Sequence, residues 1–335
     1  MNIRNIREIK NLAGERLANA PQHSKLTLTY CGISVGLSAL VTLLSYCLSL
    51  RIEQTGGLSN IGLRSVLSTI QTLLPMAQGV IVICLELGFL NAMLRISRGQ
   101  YASLNSLRMG IDRFWPLIRS VLLQSAIYMG LTFVGVYLGA QIFLLTPLSR
   151  DAMELMTGMM GGLNPAASID ATLMLDEAAY MAFYNAMLPM IPIAILICLL
   201  LVVPVFYQYR LVNYLLIDNP GMPVLALLRQ SRKLMKGNRL ALFRLDVSLW
   251  WYYILNLLAA VVGYGDVLLP MAGISLPFSE TVGYFLFYGI YLALQFVILW
   301  RFLSRISVIY SLAYQSLLPE KKPDNGVVLG NIFQM

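Results

Sequence analysis

A chain of 335 residues that is 58% apolar and only 12% charged lacks the polar shell that a soluble core of this size needs. Its net charge of +8 is spread beside apolar stretches, which suits anionic lipid headgroups and excludes a dedicated nucleic-acid-binding segment. The four cysteines (Cys31, Cys47, Cys84, Cys198) fall inside those stretches without CxxC spacing. They read as small packing residues, neither disulfides nor metal ligands.

In chain order, residues 1–25 form a cytoplasmic amphipathic segment. Ile6, Ile9, Ala13 and Leu17 share one helical face, with Arg4, Arg7, Lys10 and Glu15 elsewhere, which predicts a short helix on the inner membrane surface. No apolar run precedes Ala18-Asn19-Ala20, so signal cleavage is not expected there. Six apolar stretches follow, at roughly 26–50, 72–95, 116–146, 183–209, 245–270 and 283–309, each near or above the ~20 residues that cross a bilayer as helix. They define one transmembrane domain over 26–315, with 316–335 as a cytoplasmic tail.

The basic residues orient this domain. Of 24 Lys and Arg residues, all but Arg51, Arg64 and Arg150 fall on alternate sides of the spans, the side that also holds both termini. The positive-inside rule therefore predicts an N-in, C-in bundle in the cell (cytoplasmic) membrane.

Two linkers on the basic side look alike. Met109-Gly-Ile-Asp-Arg113 precedes the third span and Met235-Lys-Gly-Asn-Arg239 the fifth, which points to repeated hairpins or to similar demands at two membrane crossings. In the second linker, Pro223 suits a first helical turn and Gly237 suits a helix end. Between them Val224, Leu227, Leu228, Leu234 and Met235 form an apolar stripe, and Arg229, Arg232, Lys233 and Lys236 take the other face. That pattern predicts a helix at headgroup level that attracts anionic lipid, as an anchor or as a lipid sensor.

Tyr214-Leu-Leu-Ile-Asp218-Asn-Pro220, Ser231-Arg-Lys-Leu-Met235-Lys236-Gly237-Asn and Leu242-Phe243-Arg-Leu245-Asp246-Val-Ser248-Leu-Trp250 resemble the signature of an uncharacterised bacterial membrane family, domain of unknown function 975. Arg7-Glu8-Ile9-Lys10, Leu94-Arg95-Ile96-Ser97-Arg98-Gly99 and Tyr310 to Tyr314 fit the same pattern, while Pro270-Met271 departs from its Pro-Tyr. The resemblance implies a cytoplasmic-membrane protein and brings no reaction, substrate or catalytic residue.

Val262-Gly263-Tyr264-Gly265-Asp266 is similar to a potassium-channel filter, whose glycines let backbone carbonyls replace an ion's hydration shell. Val261 stands where that filter has threonine, and a re-entrant pore helix here would put Arg229 to Arg239 outside. Glycines closing the outer end of the fifth span are the simpler account. The same letters spell GxGD, yet a protease would need a second aspartate at equal depth, and Asp246 lies at the opposite end of its span.

Glu86 is the one acidic residue well inside a span, with Gln124, Asn256 and Gln295 as candidate polar partners. Buried there it is either glue between helices or a site for a transported proton or cation. The outer loop of about 147–182 carries Asp151, Glu154, Asp170, Asp176 and Glu177, with Met153, Met156, Met159 and Met160 at spacings that cover an interfacial helix or, less simply, bind Cu(I). His23 stands alone. Gly32 with Gly36, and Gly135 with Gly139, offer faces for close helix packing.

These residues predict an all-α, six-transmembrane-helix bundle with cytoplasmic amphipathic interfacial helices. No catalytic group, metal site or cofactor motif is recognised. The expected function is a non-enzymatic, membrane-organising, lipid-sensing or partner-binding bundle, with a membrane-protein partner or a second copy of the chain as possible company and no nucleic acid. The alternative is a small-solute or ion transporter or channel with Glu86 in its pathway.

Overall fold

The computed structural model describes residues 5–55, 61–161, 177–274 and 277–318. Among them there is no strand. The chain begins with α1 (Ile6–Ala18), whose first turn is closed reciprocally: the Asn5 side chain accepts from the Glu8 N–H, and its amide donates to the Glu8 carboxylate at 2.9 Å. Then come α2 (Gln22–Gln54), α3 (Ile61–Ser97), a 3-10 turn (Leu104–Arg108), α4 (Met109–Asp112), α5 (Phe114–Leu144), α6 (Arg150–Gly161), α7 (Glu177–Met187) and α8 (Met190–Tyr209). The last third holds α9 (Val212–Asp218), α10 (Val224–Met235), α11 (Arg239–Val247), α12 (Trp250–Gly263), α13 (Gly265–Met271) and α14 (Glu280–Leu317).

Among the described residues five helices are long and apolar enough to cross a membrane: α2, α3, α5, a fourth over Met181–Asp218 and α14. The bent pair α11 and α12 brings the number to six if it forms one span. The chain is an all-α, multi-pass membrane protein. Its residues group into two compact units, Met1–Ile118 with Leu211–Met335, and Arg119–Arg210.

In the first unit α2, α3 and α14 pack on one another. At 1.5 Å per residue, α3 with 37 residues and α14 with 38 are each about 55 Å long, against a hydrocarbon core of about 30 Å. The excess length is not scattered. On α3 the side chains from Ile61 to Ile81 include Leu63, Val66, Ile70, Leu73 and Met76, all exposed, whereas Leu87, Phe89, Ala92, Met93, Leu94 and Ile96 are almost completely covered. On α14, Val282 to Trp300 expose large apolar residues and Val308 to Tyr314 bury theirs. Exposed apolar helix thus gives way to a protein core at the end rich in Lys and Arg, called the basic end below.

That core takes the faces that the amphipathic segments were expected to offer to lipid. On α1, Ile9 and Ala13 are fully buried against α3 and α14. On α10, Leu227, Leu228 and Met235 are buried, while Leu234 is half-buried. Burying each such side chain contributes about 1.5–3 kcal/mol.

The fifth apolar stretch is interrupted. Helix α11 ends at Val247, and α12 starts at Trp250 with its axis turned by 58°. Hydrophobic periodicity runs straight through this point and does not announce the bend. The freed carbonyl of Ser248 finds a partner far away in sequence, the Lys10 ammonium at 2.9 Å. A broken helix is tolerated where such backbone groups regain hydrogen bonds.

The two look-alike linkers fold differently. Tyr101–Arg113 doubles back along α3: an ideal Cβ on Gly88 would lie 2.0 Å from the Leu107 carbonyl oxygen, and one on Gly110 would lie 1.8 Å from that of Cys84. Only bare backbone allows this approach. In the second linker Gly237 has φ +83°, the left-handed conformation that ends α10 and starts the turn into α11.

Within Arg119–Arg210, Gly135 and Gly139 of α5 meet Cys198 and Ala194 of α8, where added Cβ atoms would fall 2.7 Å from the Cys198 sulfur and 2.6 Å from the Ala194 Cα. The predicted small-residue face is therefore an interhelical contact. Gly32 and Gly36 instead face open space.

Gly110→Ala should lower thermal stability of the detergent-purified protein by at least about 1–3 kcal/mol, the range for overpacking a filled site. Gly79→Ala, with nothing within 4 Å of its new methyl group, should be neutral or stabilising. Equal melting of the two variants would mean that the doubled-back segment does not pack on α3.

Candidate functional site

The densest polar arrangement lies in the core of the basic end, built on two carboxylates that close short helices. Asp218 is the last residue of α9, and its Oδ2 receives the Arg98 guanidinium at 2.6 Å and the Tyr314 hydroxyl at 2.8 Å. The Tyr314 ring is fully buried and stacks on Tyr214, with centroids 5.0 Å apart. One residue further along α14, the Gln315 amide donates to the Ser97 hydroxyl at 2.5 Å. Arg98 and Asp218 keep only partial solvent contact, so their pairing is screened less than a surface bridge.

Asp246 of α11 is buried, and its carboxylate accepts from the Tyr310 hydroxyl, which in turn is 3.0 Å from the Tyr253 hydroxyl. Tyr310 and Tyr314 are four residues apart on α14 and so share a face. Each reaches a carboxylate from a different helix. α14 is thereby bonded to α3, α9, α11 and α12 at one end. Burying a carboxylate without such donors would cost several kcal/mol.

Lys10 adds α1 to this arrangement through the Ser248 carbonyl. Burial, and then the nearby Arg305, hold the Lys10 amine below the usual lysine range. Outward from the core, Arg229, Arg232, Lys233 and Lys236 are all exposed on α10, above the buried Leu227, Leu228 and Met235. The arrangement is a fastened core with a solvated positive face.

The other residues singled out from the sequence are not gathered into one site. Glu86 is exposed on α3, about 16 Å along the helix from Ser97, and makes no hydrogen bond or ion pair to the described residues. Its electrostatic neighbour is Tyr30 of α2, whose ring lies 4.7 Å from that of Phe89. Gln124 donates to the Ser120 carbonyl and Asn256 to the Tyr252 carbonyl, both one turn back on their own helices. Gln295 makes no hydrogen bond to a described residue.

Gly263, Tyr264, Gly265 and Asp266 form the corner between α12 and α13. The Tyr264 carbonyl accepts from the N–H groups of Val267 and Leu268, so it serves the helix rather than an ion column. Among the described residues no three His, Cys, Asp or Glu side chains group as metal ligands. Met153 is exposed, and the side chains of Met156, Met159 and Met160 lie outside the described residues, as do Asp170 and Asp176.

Sequence reasoning had Arg98, Asp218, Asp246, Tyr310 and Tyr314 in hand as motif residues, without a site for them. One signal was available. Tyr310 and Tyr314 are phenols one turn apart at the basic end of an apolar helix, and Asp218 and Asp246 are acids within otherwise basic segments.

Tyr314→Phe should lower stability by about 1–3 kcal/mol by leaving the half-buried Asp218 carboxylate short of one donor. Asp218→Asn keeps an acceptor for Tyr314 but loses the charge facing Arg98, and should fall in the same range. Thermal unfolding in detergent reads both. Unchanged melting in both variants would show that these bonds are not formed.

Neither a curated protein nor a solved structure matches the chain. A family model does, over residues 1–322, which takes in all of Arg119–Arg210, most of the other unit and every residue of the network just described. On that match the chain belongs to the family described as protein of unknown function, DUF975.

Proposed function

We propose that this is a non-enzymatic protein of the cytoplasmic membrane whose basic end lies on the cytoplasmic side and holds anionic lipid headgroups, organising or sensing the membrane around it. The observation that carries this reading is the division of labour on α10. Its apolar stripe is spent on the protein core, and Arg229, Arg232, Lys233 and Lys236 are left exposed. A helix already docked by its apolar face meets lipid through charge, at about 1 kcal/mol per basic residue near an anionic surface.

The core beneath supports the same reading. Hydrogen bonds and an ion pair fasten α3, α9, α11, α12 and α14 to one another, and α10, which carries the four charges, packs on α9. Exposed Tyr101, Leu104, Ile111, Trp115, Leu225, Leu240 and Trp250 occur in the same basic segments, as residues at an interface do. Glu86 lies two residues beyond the buried Cys84 and next to the buried Leu87, rather than midway along the exposed apolar part of α3. That position favours a structural border over a transport pathway.

Orientation is tested with single cysteines in a background where exposed Cys47 is replaced by Ser. A cysteine at Gly161 should react with an impermeant thiol reagent in intact cells, and one at Gly237 should react only after permeabilisation. The reverse labelling would overturn the orientation.

Lipid binding is tested with full-length protein and with Arg229→Gln, Arg232→Gln, Lys233→Gln and Lys236→Gln combined. The native protein should retain phosphatidylglycerol through purification, and the fourfold variant should retain less at unchanged melting temperature. The difference should shrink as salt rises, because exposed charge is screened over about 8–10 Å at physiological strength. Equal retention at low salt would remove headgroup binding from this face.

A further inference from the structure

The corner between α12 and α13 frames a cavity of about 410 Å³, lined by Ala260, Gly263, Tyr264, Asp266, Val267, Tyr284, Tyr288 and Tyr291. That volume is in the range of small-molecule sites. We propose that it binds an organic ammonium cation, of which quaternary ammonium is the best fit.

Two walls make the site. Tyr284, Tyr288 and Tyr291 follow one another along a face of α14, with centroids 5.9 Å apart for the first pair and 6.0 Å for the second. The Tyr288 ring is held from behind, where the Thr42 hydroxyl donates to its oxygen at 2.8 Å. The opposite wall is the corner itself, carrying Tyr264 and Asp266. The corner sits close because Gly263 and Gly265 have no side chains: Cβ atoms there would come within 3.1 Å of Tyr291 and 2.5 Å of Phe287.

The chemistry of the lining selects the ligand. Four phenol rings offer electron-rich faces, which attract cations and attract them most when water is excluded. Asp266 supplies a full negative charge and makes no hydrogen bond or ion pair to any described residue. No Lys or Arg lines the cavity. A hard metal ion would require six or more convergent oxygens, and here one carboxylate stands among rings. Tyrosines of an ordinary interfacial belt reach lipid headgroups singly. Here Tyr284 stacks on Tyr288, Tyr291 tilts against Tyr288, and a carboxylate lines the same cavity.

A quaternary ammonium group comes either from a free solute or from a phosphatidylcholine headgroup, and one experiment separates the two. Full-length protein in phosphatidylglycerol nanodiscs is titrated calorimetrically with choline and with its neutral isostere 3,3-dimethylbutan-1-ol. Saturable choline binding is expected, with the isostere at least about tenfold weaker. Asp266→Asn and Tyr284→Leu should each weaken choline by about tenfold. Tyr284 is exposed and has no hydrogen bond to a described residue, so its loss should leave the protein folded and decide the matter even where Asp266→Asn unfolds.

Repeating the titration in phosphatidylcholine nanodiscs assigns the source. Lost choline binding identifies the headgroup as the occupant, and retained binding identifies a free solute. Absence of saturable binding in phosphatidylglycerol, equal affinity for the isostere, or no effect of Tyr284→Leu would each overturn the proposal.

Discussion

A helix of 37 or 38 residues cannot be contained in a hydrocarbon layer that about 20 residues cross, and this mismatch shapes the first unit. Tilt absorbs a few residues of excess, not nearly half of the helix. The remainder of α3 and α14 emerges at the basic end, where apolar side chains such as Met93, Leu94, Ile96 and Ile309 need protein cover. Helices α1, α9, α10 and α11 and the doubled-back segment before α5 supply it. Their short lengths follow from that duty, since each covers only the protruding turns.

Cover of this kind brings polar groups into the core, and each has to be matched. Short helices have proportionally more ends, and every end leaves backbone donors or acceptors unpaired. Lys10 answers one such end, at the Ser248 carbonyl between α11 and α12, while Asp218 and Arg98, at the ends of α9 and α3, match each other. Charge at the basic end therefore has two occupations. Some cations fasten the core, and others, on α10, remain outside.

Much of the architecture was legible. Apolar length marked the five or six candidate spans, Pro223 and Gly237 marked the ends of α10, and the apolar stripe of α1 marked its buried face. What was not legible is non-local. Whether an apolar stripe meets lipid or protein depends on neighbours, and the stripes of α1 and α10 met protein. The 58° break after α11 is hidden because Leu245, Leu249 and Ile254 continue the hydrophobic pattern across it. The doubled-back linker depends on Gly110 reaching the backbone of Cys84, a contact no local spacing encodes. Nor did composition mark the separate grouping of Arg119–Arg210, since apolar helix continues through both of its ends. The motif residues Asp218, Asp246, Tyr310 and Tyr314 were visible but came from three distant places, and only folding made them one cluster.

The bond from Lys10 to Ser248 joins residues 238 positions apart, and this separation bears on how the protein is made. Helix α1 leaves the ribosome long before α14, yet the partners that cover Ile9 and Ala13 include α14. Until α14 is made, the seat of that apolar face is incomplete. The lipid surface, which the finished protein denies to that face, is the natural resting place for it in the meantime. Docking of α1 is then a late event that closes the assembled chain, and the N-terminal helix serves as its latch.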